Sequence, residues 1–340
     1  MKVLVTGGAG FIGSTVQLAL LDAGHEVVVL DDLSTGRAEY VRCPLVRGDV
    51  GDPQVVADLL DRHPGVEVVV HAAARAVVAD SVADPVSTYE VNVGGTVRLL
   101  RVLADRGIRR VIFSSSASLY EPDAGVLADE SSPVVAHSPY ARSKVMAEQV
   151  LADLAATGAV EVLALRYVTP LGADPQLRSG LQPHLPWRVM GMLLECLRDG
   201  TPFPVLGGSW PTPDGTPVRD FVHVWDLARA HVAAVDRFDM TVDAATAFRV
   251  LNVSTGRGTS VLELVRAWEA VCGTPMPLEW RQPRPGDTVG GAVSSALAQQ
   301  LLDWRPTRSV QDALRDGLRW AEHCAPDQVG TQRATVNRIG

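Results

Sequence analysis

The chain has 340 residues, 46% hydrophobic and 21% charged, with a formal net charge of −8. That size and balance suit a full core plus a second, smaller domain, and exclude disorder as the default. The acidity, without any Lys/Arg-rich run, argues against a nucleic-acid surface, and no apolar run is long enough to span a bilayer.

Met1 leads straight into an apolar run, Val3–Val5, which suits a buried parallel strand. Gly7, Gly10 and Gly13 follow at three-residue spacing, then an amphipathic run, Phe11 to Leu21, that predicts a helix stopped by Gly24. A second apolar run, Val27–Leu30, ends at Asp31. Glycines at the strand-to-helix turn let the backbone approach a pyrophosphate and the helix sit tightly on the sheet. An acid closing the second strand accepts from both ribose hydroxyls of NAD and repels the 2′-phosphate of NADP. A glycine turn beside an incidental aspartate is the plain alternative, and the strand-glycine-helix-strand context weighs against it.

Leu45–Val50 reads as a short strand ending in an acid, Asp49, placed to accept from an adenine amine; a surface Gly-Asp turn reads similarly. Val55–Leu60 predicts a helix and Val66–Val70 a strand, followed by the small residues Ala72–Ala74 that let backbone pass under a cofactor. Tyr89–Ala104 predicts a long helix carrying Asn92, counted among the candidate cofactor-binding residues. Arg110–Phe113 predicts a strand ending in Ser114–Ser116, and a further helix runs from about Tyr140 to Leu154 before the strand Val160–Arg166. This alternation predicts an α/β fold, a doubly wound parallel Rossmann sheet with a second, smaller C-terminal substrate-binding lobe. The expected division is an NAD-binding domain over 1–170 with 218–255 returning to it. A second lobe over 171–217 and 256–325 includes a helix from Trp187 to Leu197, and 326–340 forms a tail.

Tyr140 and Lys144, four apart on the predicted helix, share one face. A phenol ordinarily ionises near pH ~10. A neighbouring ammonium favours the phenolate and makes the tyrosine a usable base. Ser116, at a strand end facing the same crevice, supplies a positioning or proton-relaying hydroxyl. A tyrosine-lysine pair on a solvated helix face is the common alternative. The cysteines Cys43, Cys196, Cys272 and Cys324 are far apart and form no CxxC pair, so no metal site or disulfide framework is expected. Inert thiols and no room for a signal peptide make a cytoplasmic setting the expectation.

TGGAGFIG, the strand end SSSASLY and SPYARSK resemble the extended short-chain dehydrogenase/reductase family. DDLSTG, LRYVTPLGA, WPTPDGTPVRDFVHVWDLARAH and RPGD make the resemblance closest to its nucleotide-sugar 4-epimerases, over nearly the whole length. The resemblance implies Tyr140 as base, Lys144 as its activator and a cofactor ribose ligand, and Ser116 as hydroxyl partner. It implies NAD held by Gly7, Gly10, Phe11, Ile12, Asp31, Asp49 and Val50, and a UDP-sugar whose diphosphate is gripped by Arg219 and Arg284, with Asp287 on the uridine ribose. A planar, permanently charged guanidinium suits that grip, though surface ion pairing is the plainer role for an arginine. A homodimer through the helices 89–104 and 140–154 is also implied.

Several positions depart from the family pattern. Thr169 stands in place of an asparagine that helps hold substrate phosphate, Ala76 in place of a lysine that Arg75 next door would offset, and Glu121 in place of a glycine. Gly291 replaces a bulky tyrosine at the hexose pocket, which predicts room for an N-acetyl or other modified sugar. The implied reaction is C4 epimerisation through a 4-keto sugar. A dehydratase or decarboxylase on the same scaffold is the rival, and a non-catalytic NAD sensor the rival of another class. Ser115-Ser116, where a dehydratase carries an Asp-Glu pair, weighs against the first.

Overall fold

The computed structural model describes residues 1–121, 123, 125–182, 188–243, 245–284 and 287–324. The predicted helix start at Trp187, the lobe end at 325 and the tail 326–340 lie outside the described residues. Seven parallel strands form the main sheet, in the order Phe248–Val253, Glu161–Tyr167, Arg110–Ser116, Val68–His71, Lys2–Thr6, Glu26–Asp31 and Leu45–Arg47. These strands read as unbroken apolar runs because both faces are covered. Val3 and Val5 pack on one face against the helices Phe11–Asp22 and Val224–Asp236, while Leu4 packs on the other beneath Pro53–Arg62, Thr96–Asp105 and Pro139–Ala156. The strand order reverses between Lys2–Thr6 and Val68–His71, and the crevice beyond their carboxyl ends is where ligands bind in such sheets.

A second sheet runs Gly258–Ser260, Val218–His223, Gly290–Val293 and Leu127–Ala128, with Thr169–Leu171 pairing onto Val218–His223. Here the observed chain path differs from the division expected over 218–255. The strand Val218–His223 stays in the small sheet, while the helix Val224–Asp236 and the strand Phe248–Val253 rejoin the large one. The predicted helix 89–104 is also interrupted. Its middle, Glu90–Gly95, is a π-turn between Pro85–Tyr89 and Thr96–Asp105, at the point where Asn92, Gly94 and Gly95 stand. Phe11, from the glycine-rich turn, packs into the core of the second lobe with Leu171, Met190 and Phe221, so one side chain ties the two halves together at the crevice.

Candidate active site

The glycine turn forms a cradle that side chains would fill. Gly7 adopts a positive φ of 69°, and a Cβ there would lie 2.7 Å from the Ala73 nitrogen. A Cβ on Gly13 would lie 2.0 Å from the Gly7 carbonyl oxygen. Gly10 N-caps the helix that starts at Phe11 and Ile12, and no side chain caps it. The first-turn N–H groups and the helix dipole thus face the crevice, an arrangement that fits a pyrophosphate. Asp31 is 7% exposed; its Oδ2 accepts from the Ala9 N–H at 2.9 Å and its Oδ1 from the Leu33 N–H at 2.8 Å. Burial raises its pKa while those two N–H groups pull it down. Each carboxylate oxygen keeps a second acceptor site, so two ribose hydroxyls fit there. The cradle, the open helix end and this carboxylate together fit NAD.

Asp49 is exposed and accepts from the Gly51 N–H at 2.7 Å, beside the buried Val50. The Ala72 N–H donates to the Thr6 carbonyl at 3.1 Å and keeps the loop after Val68–His71 against the cradle. Asn92, expected on the cofactor, is engaged with the neighbouring loop and helix. Its Oδ1 accepts from the Arg75 N–H at 2.8 Å, and its Nδ2 donates to the Arg75 carbonyl at 3.0 Å and to Ser143 Oγ at 2.9 Å. With both amide protons spent, Asn92 ties that loop to the tyrosine-bearing helix. His71 is likewise structural: it lies between Thr6 and Thr96 hydroxyls, and burial pushes its pKa down to about 3, keeping it neutral.

The tyrosine-bearing helix runs Pro139–Ala156, capped by Ser138, whose hydroxyl accepts from the Ala141 N–H at 3.1 Å. Tyr140 is 9% exposed, and its N–H donates to Ser81 Oγ at 3.1 Å. Burial pushes the phenol pKa up; the Ser116 hydroxyl and the charge of Arg188 pull it down. Ser116 Oγ also lies 2.8 Å from Ser118 Oγ. Lys144, 3% exposed, occupies the expected helix face, but its Nζ donates to the Ser114 carbonyl at 2.7 Å and stands 4.7 Å over the Phe113 ring. Burial lowers its pKa to about 8, with the Glu148 charge opposing. Of the two cations, Arg188 is the one whose charge acts on the Tyr140 phenol. One turn further on, buried Glu148 takes both arms of Arg166 and the Ser115 hydroxyl, locking this helix to the strands beneath it.

At the substrate end a cleft of about 240 Å³ is lined by Phe11, Thr169, Arg188, Arg219, Arg284 and Asp287 among others. Arg219 is held by backbone carbonyls: Nη1 donates to Val218 at 2.7 Å and Nη2 to Thr288 at 3.2 Å. Gly290, with φ of 78°, makes this possible, since a Cβ there would sit 2.1 Å from Arg219 Nη1. Arg284 is 61% exposed and pairs with Asp287, whose Oδ2 also accepts the Arg284 N–H at 2.8 Å. Asp287 therefore orders the Arg284 loop. Gly291 does not open a pocket, contrary to expectation. The carbonyl oxygen of Asp123 would lie 2.6 Å from a Cβ placed on it, so backbone fills that space. Arg75 pairs with Asp84 and Glu121 with His137, both at the exposed surface. A larger hollow of about 600 Å³ lies between the 255–259 and 306–311 segments and carries none of these groups. Arg188, Gly290 and Ser81 are not singled out by sequence; the signal for the first is a cation just before the apolar run Val189–Leu194.

A family model described as the NAD dependent epimerase/dehydratase family matches residues 3–252. The chain is 37% identical to the UDP-glucose 4-epimerase of Bacillus subtilis over 94% of its own length and 96% of that protein. Among solved structures it is similar to the UDP-glucose 4-epimerase of Stenotrophomonas maltophila with bound NAD and formylated UDP-arabinopyranose. That match has a TM-score of 0.89 and 35% identity, and covers 96% of this chain and 99% of that one. The enzyme of the same name from Bifidobacterium longum, in complex with NAD+ and UDP, matches at TM-score 0.89 and 31% identity over 96% and 100% of the two chains.

Proposed function

The chain belongs to the NAD dependent epimerase/dehydratase family, and on that footing we propose that it is an NAD-dependent epimerase acting at C4 of a UDP-hexose. The observation that carries this reading is the meeting of Tyr140 and Ser116 with the glycine cradle at one crevice. Gly7, Gly10, Gly13, Phe11, Ile12, Asp31, Asp49, Val50 and Ala72 would hold NAD, Asp31 through the adenosine ribose and Lys144 through the other ribose. When bound, NAD supplies a reversible hydride acceptor at the sugar carbon. Tyr140 takes the proton of the C4 hydroxyl as the carbon is oxidised, and gives it back once the carbon has been reduced from its other face. Ser116 keeps the reacting oxygen within reach of Tyr140. Arg219 and Arg284 grip the diphosphate, Asp287 holds the Arg284 loop in place, and Thr169 donates one hydrogen bond at the same wall. Binding energy spent on the nucleotide leaves the flat keto sugar free to turn over within the cleft.

Dehydration requires an acid/base pair at the strand end. There Ser115 is bonded to Glu148 and Ser116 to Ser118, and neither side chain ionises. The same reading includes a homodimer through the helices around 85–105 and 139–156, supported by the exposed apolar side chains of Val86, Val97 and Met146 on them. It includes a cytoplasmic setting, in keeping with four free cysteines. No helix among the described residues is long and apolar enough to cross a membrane. The test is incubation with UDP-glucose, UDP-N-acetylglucosamine and UDP-glucuronate without added NAD, with the products resolved. Interconversion at C4 of at least one sugar is expected; no change at C4 in any of them overturns the reading.

A further inference from the structure

Arg188 acts on the Tyr140 phenol but has no ligand in the account so far, although it lines the substrate cleft. It stands just before the helix Val189–Asp199, lines the cleft beside Phe11 and Thr169, and lays its guanidinium 5.4 Å over the Phe11 ring. Its Nε is buried and has no hydrogen-bond partner among the described residues. Leaving a charged donor buried and unspent is costly, and such a group persists where a ligand supplies the acceptor. Arg188 and Arg219 line the same cleft but have different electrostatic neighbours. The charge of Arg188 acts on the phenols of Tyr140 and Tyr167, whereas that of Arg219 interacts with Asp287 and Arg284. Two arginines therefore mark the diphosphate end, and the third marks the end where the sugar reacts.

We propose that the hexose end of the cleft is built for a sugar bearing a carboxylate, that Arg188 is the residue recognising it, and that the substrate class is accordingly a UDP-hexuronate. The assignment rests on the epimerase reading above and sharpens it. A carboxylate offers two acceptors in the plane of the guanidinium and neutralises its charge, which a neutral hydroxyl cannot do. The pairing has a chemical consequence as well. Once C4 is a ketone, the sugar carboxylate at C6 is that of a β-keto acid, and breaking C5–C6 would release carbon dioxide and leave the electron pair on C5. A guanidinium holding both oxygens favours the carboxylate over departing carbon dioxide, so C6 is retained until hydride returns to C4.

The test uses the full-length enzyme with its own NAD and compares kcat/KM for UDP-glucuronate, UDP-glucose and UDP-N-acetylglucosamine. UDP-glucuronate is expected to be favoured by about 10- to 100-fold, the range of a charge-assisted pair, with the product still carrying its carboxylate. Arg188→Met is expected to lower the UDP-glucuronate to UDP-glucose ratio at least about tenfold, and Arg188→Lys to restore part of it. Equal or better use of a neutral sugar by the parent overturns the proposal without any variant, so a poorly folding variant does not shield it. An unchanged ratio in Arg188→Met, with both sugars slowed alike, also overturns it and makes Arg188 an activator of Tyr140. If no sugar changes at C4, the epimerase reading itself has failed; if neutral sugars epimerise preferentially, only the role of Arg188 has.

Discussion

The cofactor half and the substrate half of the crevice are made in different ways. The cofactor half is assembled within one βαβ unit: Gly7, Gly10 and Gly13 span one turn and the helix start after it, and Asp31 closes the next strand with one oxygen on the Ala9 N–H of that turn and the other on the Leu33 N–H. The substrate half is assembled from distant pieces. Thr169 meets Phe221 across a strand pair, Arg219 is pinned by carbonyls at Val218 and Thr288, and Arg188 arrives from a third segment. Backbone that is close in sequence can be shaped only by residue type, so the first half leaves a pattern. Side chains brought together by long-range packing leave none.

The largest expected effect falls where the halves meet. Tyr140→Phe should lower kcat by about 10²- to 10⁴-fold, the usual contribution of a positioned acid/base group, while retained NAD, read from the ultraviolet spectrum of the pure protein, stays as in the parent. A small change in kcat would put the proton transfer elsewhere. Next come paired glycine substitutions, one in each half. Gly13→Ala drives a methyl into the Gly7 carbonyl and should cost about 1–3 kcal/mol and strip NAD from the purified protein. Gly291→Ala presses on the Asp123 carbonyl and should lower the melting temperature while NAD is retained. If both variants lose NAD equally, the division between halves is wrong. Arg219→Met should then raise KM for a UDP-sugar about 10- to 100-fold, the value of hydrogen bonds to a charged group, with a smaller effect on kcat.

The smallest effect is one of pH. The folded pKa of Lys144 lies near 8, below its ordinary 10.5. Below that folded value both states carry the charge and the fold bears the full cost of burying it. Between about 8 and 10.5 the unfolded chain still holds the proton that the folded one has lost, so this residue's contribution makes stability rise with pH across that window. Turnover should fall through the lower part of the same window, as the cation of Lys144 is lost from the crevice. A kcat profile with an alkaline limb near pH 8 that vanishes in Lys144→Met is the expected result, with the melting temperature of the same variant losing its rise above pH 8.

What is legible in the sequence follows the same division. The parallel sheet, the cradle, Asp31 and the helix bearing Tyr140 and Lys144 are all carried by spacing within one or two elements. The tie that Asn92 makes between loop and helix left no local pattern, because the partners of its amide are 17 and 51 residues away. The direction of Lys144 was hidden for the same reason: its acceptor is a carbonyl 30 residues upstream. Gly291 invited a reading of empty space, and only the fold shows the Asp123 backbone occupying it. The expected return of 218–255 to the first domain does not hold at Val218–His223, which pairs with Thr169–Leu171 and Gly290–Val293.

The claim beneath both halves is that hydrogen leaves C4 of a tethered sugar as hydride and returns to that same carbon. Supplying the enzyme with a UDP-sugar deuterated at C4 and following the product by mass spectrometry and NMR tests it directly. Deuterium kept at C4 in the epimerised product, with no reduced cofactor building up in solution, is the predicted result. Deuterium exchanged for solvent hydrogen, or one equivalent of free NADH formed per sugar consumed, would contradict it.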